Sequence, residues 1–231
     1  MPLEFGRRMD IARKRTISTA ALLWRELLPG VRQKSIWQAE APAKPGCAWQ
    51  ISLVEYDKGA TVPRHRHVGG DELVYVLEGE LSDDFGTITK GNAGYRPDGC
   101  VHDLHSRNGG TTISFLLGRG EFVGAQAPGP ASQLIDVDAC SWQKPADENR
   151  AIKMIWSAVD GKRSLSLQRF STAHGKLNVV AQEYLAYVLC GAVSLADGTM
   201  LNAGDIGIWT GPVTVPFSVA GYTVALVHCW E

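Results

Sequence analysis

This chain has no run approaching the roughly 20 apolar residues of a membrane-spanning helix, so none is expected. It has almost no net charge: 23 Lys and Arg stand against 24 Asp and Glu, a formal −1 at pH 7. That balance leaves no basic face for nucleic acid or another polyanion. The N-terminus is a local exception, with Arg7, Arg8, Arg13, Lys14 and Arg15 against Glu4 and Asp10. No long apolar stretch follows these residues before Trp24, so they read as a solvated arm or a short helix, not a signal peptide. Paired cysteines are also missing. Cys47, Cys100, Cys140, Cys190 and Cys229 are odd in number, scattered and never spaced C-x-x-C. This argues against a disulfide framework and a thiolate zinc site, and for free thiols in a reducing cytoplasm. Histidine is scarce, six in 231 residues, and none precedes His65.

What is present is β texture. "WQISLVEYDKG", "ELVYVLEGEL" and "TTISFLLG" carry β-branched and aromatic residues between turn signals, at the spacing of a sandwich or barrel. A single helix is expected, over about Ser18–Leu28, ended by Pro29-Gly30. "FVGAQAPGPASQ" (122–133) reads as a linker. Beyond it the pattern restarts. Lys34-x-x-Trp37 returns as Lys153-x-x-Trp156, "YVLEGEL" (75–81) as "YVLCGAV" (187–193), and "TKGNAGYRP" (89–97) as "NAGDIGIWT" (202–210), at offsets of 112 to 119 residues. An offset held across three segments indicates a duplication. The expected organisation is all-β: an arm over 1–23, a barrel over 24–125 and a second barrel over 135–231.

"RHRHVGGDE" (64–72) carries the chemistry. Alternate residues of a strand share a face, so His65 and His67 aim together. Gly69-Gly70 allows the chain to reverse, so that Glu72 rises on the next strand. "PDGCVHDLHS" supplies a further imidazole, His102, after a Pro-x-Gly turn. Three imidazoles and a carboxylate suit one divalent transition metal: iron, zinc, manganese or nickel.

These residues resemble the cupin superfamily. Its two motifs, Gly-x5-His-x-His-x3-4-Glu-x6-Gly and Gly-x5-Pro-x-Gly-x2-His-x3-Asn, are matched by Gly59, His65, His67, Glu72 and Gly79, then by Gly91, Pro97, Gly99 and His102; the final Asn is Ser106. The wording of "LLPGVRQKSIW", "SLVEYDKGATVPRHRH" and "GGDELVYVLEGELSDDFG" is similar to ChrR-like cupins over residues 24 to 118. The resemblance implies tandem double-stranded β-helix (jelly-roll) barrels, with metal at His65, His67, Glu72 and His102. Asp71 is the alternative carboxylate. The family's anti-sigma activity needs a separate N-terminal zinc domain; with no His before His65 and only Cys47, it is not carried over.

Strand parity turns His105 away from the metal if His102 points in. Cys100 reads as a small buried thiol, Arg64 and Arg66 as surface or rim charges, and Tyr75 and Tyr95 as unranked between rim and pocket. Trp142, Trp156 and Trp209 read as packing residues. The second barrel has no His-x-His, and Val215 falls where His102 should be, so it is expected to be degenerate and metal-free. The function this implies is a metal-dependent oxidoreductase, dioxygenase-like, acting on a small organic molecule in the first barrel. The alternatives are a metal-dependent sensor or regulatory binding protein and a zinc-stabilised scaffold. A homodimer is compatible with either; no nucleic-acid or membrane partner is expected.

Overall fold

The structure is a computed structural model, described here over residues 14–40, 48–125, 129–145, 150–171, 174–179 and 181–230. The described residues form strands and one short 3-10 turn, and no helix among them is long and apolar enough to cross a membrane. Two compact units result. One spans Ala21–Cys140; the other joins Ser141 onward to the N-terminal strand Lys14–Ser18.

In the first unit, Glu72–Asp83 and Gly110–Phe122 lie antiparallel at the centre. Ala93–Arg96 and then Gln133–Ile135 extend the sheet on one side, and Ala48–Tyr56, Val31–Glu40 and Arg25–Leu28 on the other. The facing layer is built from Ala60–Val68, Val101–Ser106, Gly86–Thr89 and the far end of Glu72–Asp83. Gly110–Phe122 runs into both layers, pairing with Ala48–Tyr56 and then, from Arg119, with Ala60–Val68. Two sheets sharing strands in this way make a jelly roll, which protects edges that an open sheet would expose.

The second unit repeats this order. Lys14–Ser18, Asp205–Thr210, Glu183–Cys190, Thr223–Trp230, Arg163–Phe170, Arg150–Ser157 and Trp142–Gln143 form its larger sheet; His174–Val179, Val213–Val219, Ala192–Leu195 and Met200–Asn202 form the smaller. The irregularities repeat as well. Pairing slips between Ser35 and Trp37 in one unit and between Met154 and Trp156 in the other. It slips again opposite Val76 and Glu78, and between Val188 and Cys190. A bulge bends its strand at a defined place, so matched bulges mark a shared architecture more sharply than matched strands do.

Two expectations change at the N-terminus. Lys14–Ser18 is neither arm nor helix: it pairs in register with Asp205–Thr210, and Thr19 Oγ1 donates to the Gly204 carbonyl at 2.6 Å. In the expected helix only Thr19–Ala21 coils, as a 3-10 turn. Arg25–Leu28 instead folds back through the Pro29-Gly30 turn, with Gly30 at φ 74°, onto Val31–Glu40. Ladder partners on a ready sheet outweigh the helical propensity of four residues, since a short helix is marginal. Each unit is therefore completed by a strand that lies, in sequence, beside the other: Gln133–Ile135 in the first and Lys14–Ser18 in the second. The residues 1–13 that hold most of the basic cluster, and Cys47, lie outside the described residues; the other four cysteines are free thiols.

Gly79 and Gly191 occupy matching turns at φ 70° and 78°. A Cβ on Gly79 would sit 2.1 Å from the Gly109 carbonyl oxygen, and one on Gly191 2.5 Å from that of Tyr222. At Gly59, φ is 80° but nothing lies within 4 Å. Gly59→Ala should therefore cost only the left-handed backbone penalty, about 1–2 kcal/mol. Gly79→Ala and Gly191→Ala must also displace backbone, and should each cost clearly more. Chemical denaturation of the three variants checks this; equal losses would contradict the packing argument.

Candidate metal centre

Ala60–Val68 is a strand with a flaw, and the flaw positions the site. Its register against Val101–Ser106 shifts between Val62 and His65. Pro63 lies in the slip, where it need not donate to a ladder, and its carbonyl accepts from His65 Nδ1 at 3.0 Å. That bond places the proton on Nδ1 and leaves Nε2 with its lone pair. Alternation then buries His65 and His67 and leaves Arg64 and Arg66 half-exposed, Arg64 paired with Asp84 at 2.6 Å. After His67 the chain turns at Gly69, φ 81°, whose N–H donates to Asp98 Oδ1 at 2.9 Å. The turn delivers Glu72 as the first residue of the next strand.

His102 is cross-strand partner to His65 and has no solvent exposure. The three imidazoles converge, with one donor nitrogen from each within 4.8 Å of the others. His67 Nε2 and His102 Nε2 stand 2.9 Å apart. Donors about 2.1 Å from a common centre and at right angles to it would stand about 3 Å apart, so this spacing fits a transition ion. Glu72 Oε2 lies 3.9 Å from His67 Nε2. Asp71 faces elsewhere, its carboxylate accepting from the Tyr95 hydroxyl at 3.1 Å. His105 is exposed, as parity requires; Cys100 is a buried thiol, raised by burial to about 11.

Three partners carried no signal in the sequence. Arg96 is completely buried, Nη2 donating to Asp83 Oδ2 at 3.0 Å and Nη1 lying 3.5 Å from Glu72 Oε2. Asp83 Oδ2 is also 3.6 Å from His102 Nδ1, which favours the proton on Nδ1 and the lone pair on Nε2. Ser114 Oγ donates to Glu72 Oε1 at 2.6 Å. Burial alone would raise the Glu72 and Asp83 carboxyls. Arg96, His67, Ser114 and His102 around Glu72, and His102 and Arg96 beside Asp83, outweigh it and hold both below their ordinary values. Two fixed carboxylates thus balance Arg96 and any cation beside it.

The cluster opens into a cavity of about 360 Å³. His65, Glu72, Ser114 and Tyr56 line it, as do Gln33, Gln50 and Ser52. Leu27 and Phe122, both well exposed, also line it. Tyr75 is buried in the core and Tyr95 is half-buried; neither is among the lining residues. In the second unit the same register positions hold Leu177, Val179, Tyr184 and Val215 for His65, His67, Glu72 and His102, with Trp209 for Arg96. These pack into an apolar core, where Tyr184 meets Trp209 edge-on at 5.9 Å. Trp142 stacks under Lys153 and Arg169, and Trp156 under Arg163. Among the described residues, only His65, His67 and His102 form a group suited to a metal.

Burial lowers the His65 pKa and takes that of His67 to about 4, from 6.5. Between those values the unfolded chain binds the extra proton and the folded chain does not. The stability held by His67 is therefore full above pH 6.5 and is lost as pH falls toward 4. Metal and protons compete for the same nitrogens. A loaded protein should keep its ion at pH 6 and release it steeply near pH 5, with several protons entering together. Titration with metal release followed beside near-ultraviolet circular dichroism reads this; a shallow, one-proton release would contradict it. His102→Ala should abolish loading, and Asp83→Asn should weaken it about 10–100-fold, both measured by metal analysis of dialysed protein. Unchanged loading in either variant would remove that residue from the site.

Residues 12–120, just under half of the chain, match the family model of the ChrR cupin-like domain. No curated protein sequence matches. Among solved structures, the chain is similar to a candidate dioxygenase of Nostoc punctiforme, with a TM-score of 0.69 and 12% identity over 93% of this chain and 81% of that one. It is similar to a candidate glyoxylate-induced protein of Pseudomonas aeruginosa, TM-score 0.69 and 16% identity, over 98% and 93%. A variant of Bacillus subtilis oxalate decarboxylase superposes with a TM-score of 0.62 and 13% identity, over 94% and 77%. Identities this low establish the fold alone. Residues 12–120, with the histidine cluster they contain, match the ChrR cupin-like domain model, and the chain shares its fold with these solved structures.

Proposed function

We propose that the first barrel binds one divalent transition metal through His65, His67, His102 and Glu72, and uses it in oxidative chemistry on a small organic substrate. The observation that carries this reading is the convergence of three imidazoles, with the ionised carboxylate of Glu72 3.9 Å from His67, where His65 and Glu72 line a cavity that can admit a ligand. When bound, an ion with four protein donors keeps coordination positions for a chelating substrate and for dioxygen, and supplies the redox step. Diketones and hydroxyketones are the substrate class this favours, because their paired oxygens chelate.

The protein's own share is charge and orientation. Arg96 and Ser114 keep Glu72 anionic. Burial first, then the charge of Glu72, raises the Tyr56 pKa, so its hydroxyl stays a neutral donor at the cavity wall. Gln33, Gln50 and Ser52 offer further donors and acceptors, with Gln33 Nε2 donating to Ser52 Oγ. Val31, Val54, Val62 and Leu104 are among the apolar lining residues and favour a ligand with a hydrocarbon body.

Protein purified without chelators and analysed for metal, then screened for oxygen uptake with small diketones and hydroxyketones, tests the reading. Iron or another redox-active ion with substrate-dependent oxygen consumption is expected. Gln50→Leu and Ser52→Val should raise KM about tenfold with little change in kcat, if they bind substrate in ground and transition states alike. One observation favours a second reading, a metal-dependent sensor: only Tyr56, His65 and Glu72 among the lining residues titrate, so no separate general base is at hand. Tight retention of a small ligand by the loaded protein, with no oxygen uptake across the panel, would replace the oxidative reading with that one.

A further inference from the structure

The second barrel has lost the metal ligands and kept a mouth. A cavity of about 270 Å³ opens there, lined by Arg150, Lys162, Ser164, Ser166, Gln168 and Tyr184 among others. Its positions are those of the first cavity. Arg150 pairs with Phe170 as Val31 pairs with Tyr56. Ser166 and Gln168 hold the register of Ser52 and Val54, opposite Val227 and Ala225 where the first unit has Ser114 and Thr112. Tyr184 stands where Glu72 stands, between Trp209 and Cys229 as Glu72 is between Arg96 and Leu116. The duplication has thus preserved a pocket and exchanged its chemistry.

The new chemistry is cationic. Arg150 is only 8% exposed, and a guanidinium keeps its charge throughout the accessible pH range. Its Nη1 donates to Gln168 Oε1 and lies 3.5 Å from the Tyr184 oxygen; the Tyr184 hydroxyl donates to the same Gln168 oxygen at 2.8 Å. Gln168 and Tyr184 therefore fix the guanidinium in one orientation at the cavity wall. Lys162 adds a second cation, and none of the described residues lining the cavity is acidic. Ile152 and Met154 give an apolar flank.

We propose that the second barrel binds a small organic carboxylate in this cavity, with Arg150 as its anchor. A planar guanidinium matches a carboxylate through paired N–H donors, which a neutral ligand cannot exploit and a lone ammonium cannot reproduce. Ser164 and Ser166 supply hydroxyls beside it, and the apolar flank suits a short hydrocarbon or aromatic body. The cavity is below the size range of drug-sized sites, which selects a small acid.

The test uses the full chain carrying His67→Ala and His102→Ala, so that no metal in the first barrel contributes. Benzoate, malonate, benzamide and inorganic phosphate are titrated by calorimetry. Benzoate or malonate should bind saturably at one site, and the neutral benzamide at least tenfold more weakly. Arg150→Met should weaken the acid at least tenfold, Arg150→Lys should recover part of the loss, and added salt should weaken binding. Ser164→Leu narrows the half-buried rim without touching the charge; it should also weaken binding, and it serves as the test if Arg150→Met fails to fold. No saturable binding of either acid at millimolar concentrations would overturn the proposal. So would acid binding indifferent to Ser164→Leu and to a folded Arg150→Met, or phosphate or benzamide binding as tightly as the acids.

Discussion

Arg96 carries a full positive charge with no solvent exposure, held between Asp83 and Glu72. A charge so placed is strongly unfavourable unless partners surround it. The two carboxylates meet that demand, and in doing so they become the fixed points of the site. Glu72 is kept ionised beside His67, and Asp83 is kept ionised beside Nδ1 of His102. Arg96 is one of the groups that hold both carboxyls below their ordinary values against burial, with His102 foremost beside Asp83. The histidine cluster and the ion pairs behind it are one arrangement, built on the strands Ala60–Val68, Glu72–Asp83, Ala93–Arg96 and Val101–Ser106.

The second unit is what the same fold does without that charge. Trp209 occupies the register position of Arg96, and the carboxylate and imidazole positions become Tyr184, Leu177, Val179 and Val215. The interior then holds by dispersion and burial, with Phe170 edge-on to Phe217 at 5.0 Å. A polar group survives nearer the mouth, where Arg150, Gln168 and Tyr184 bond to one another. The bulges and the positive-φ turns at Gly191 and Gly204 remain, because they depend on backbone paths and not on the chemistry inside. The two units share register and bulges, while their inward-facing side chains differ.

The ligand candidates were legible because spacing along a strand is a local property. His65 and His67 alternate, and Gly69 and Pro97 mark the turns that bring in Glu72 and His102. The repeat was legible for the same reason, since Gly79, Gly91 and the Lys-x-x-Trp pairs recur in order. Arg96 was not, although it lies in the quoted "TKGNAGYRP". A single arginine in a strand reads as a surface residue, and only the sheet shows that its side chain turns into the barrel. Asp83 follows Ser82 beside Asp84 and carries no motif at all. The N-terminal strand was missed because its partner lies almost 200 residues away, at Asp205–Thr210; no local pattern records a ladder of that span.

By itself, then, the sequence determined the all-β class, the two-fold repeat and the four candidate metal ligands, each written in periods and spacings of a few residues. Tertiary structure alone decided which charges are buried together, that Asp71 turns to Tyr95 while Glu72 turns to His67, and that each unit is closed by a strand adjacent in sequence to the other. The division has a physical cause. Strand alternation and turn chemistry act between neighbours along the chain, whereas desolvation and ion pairing act between residues that only folding brings within a few ångströms.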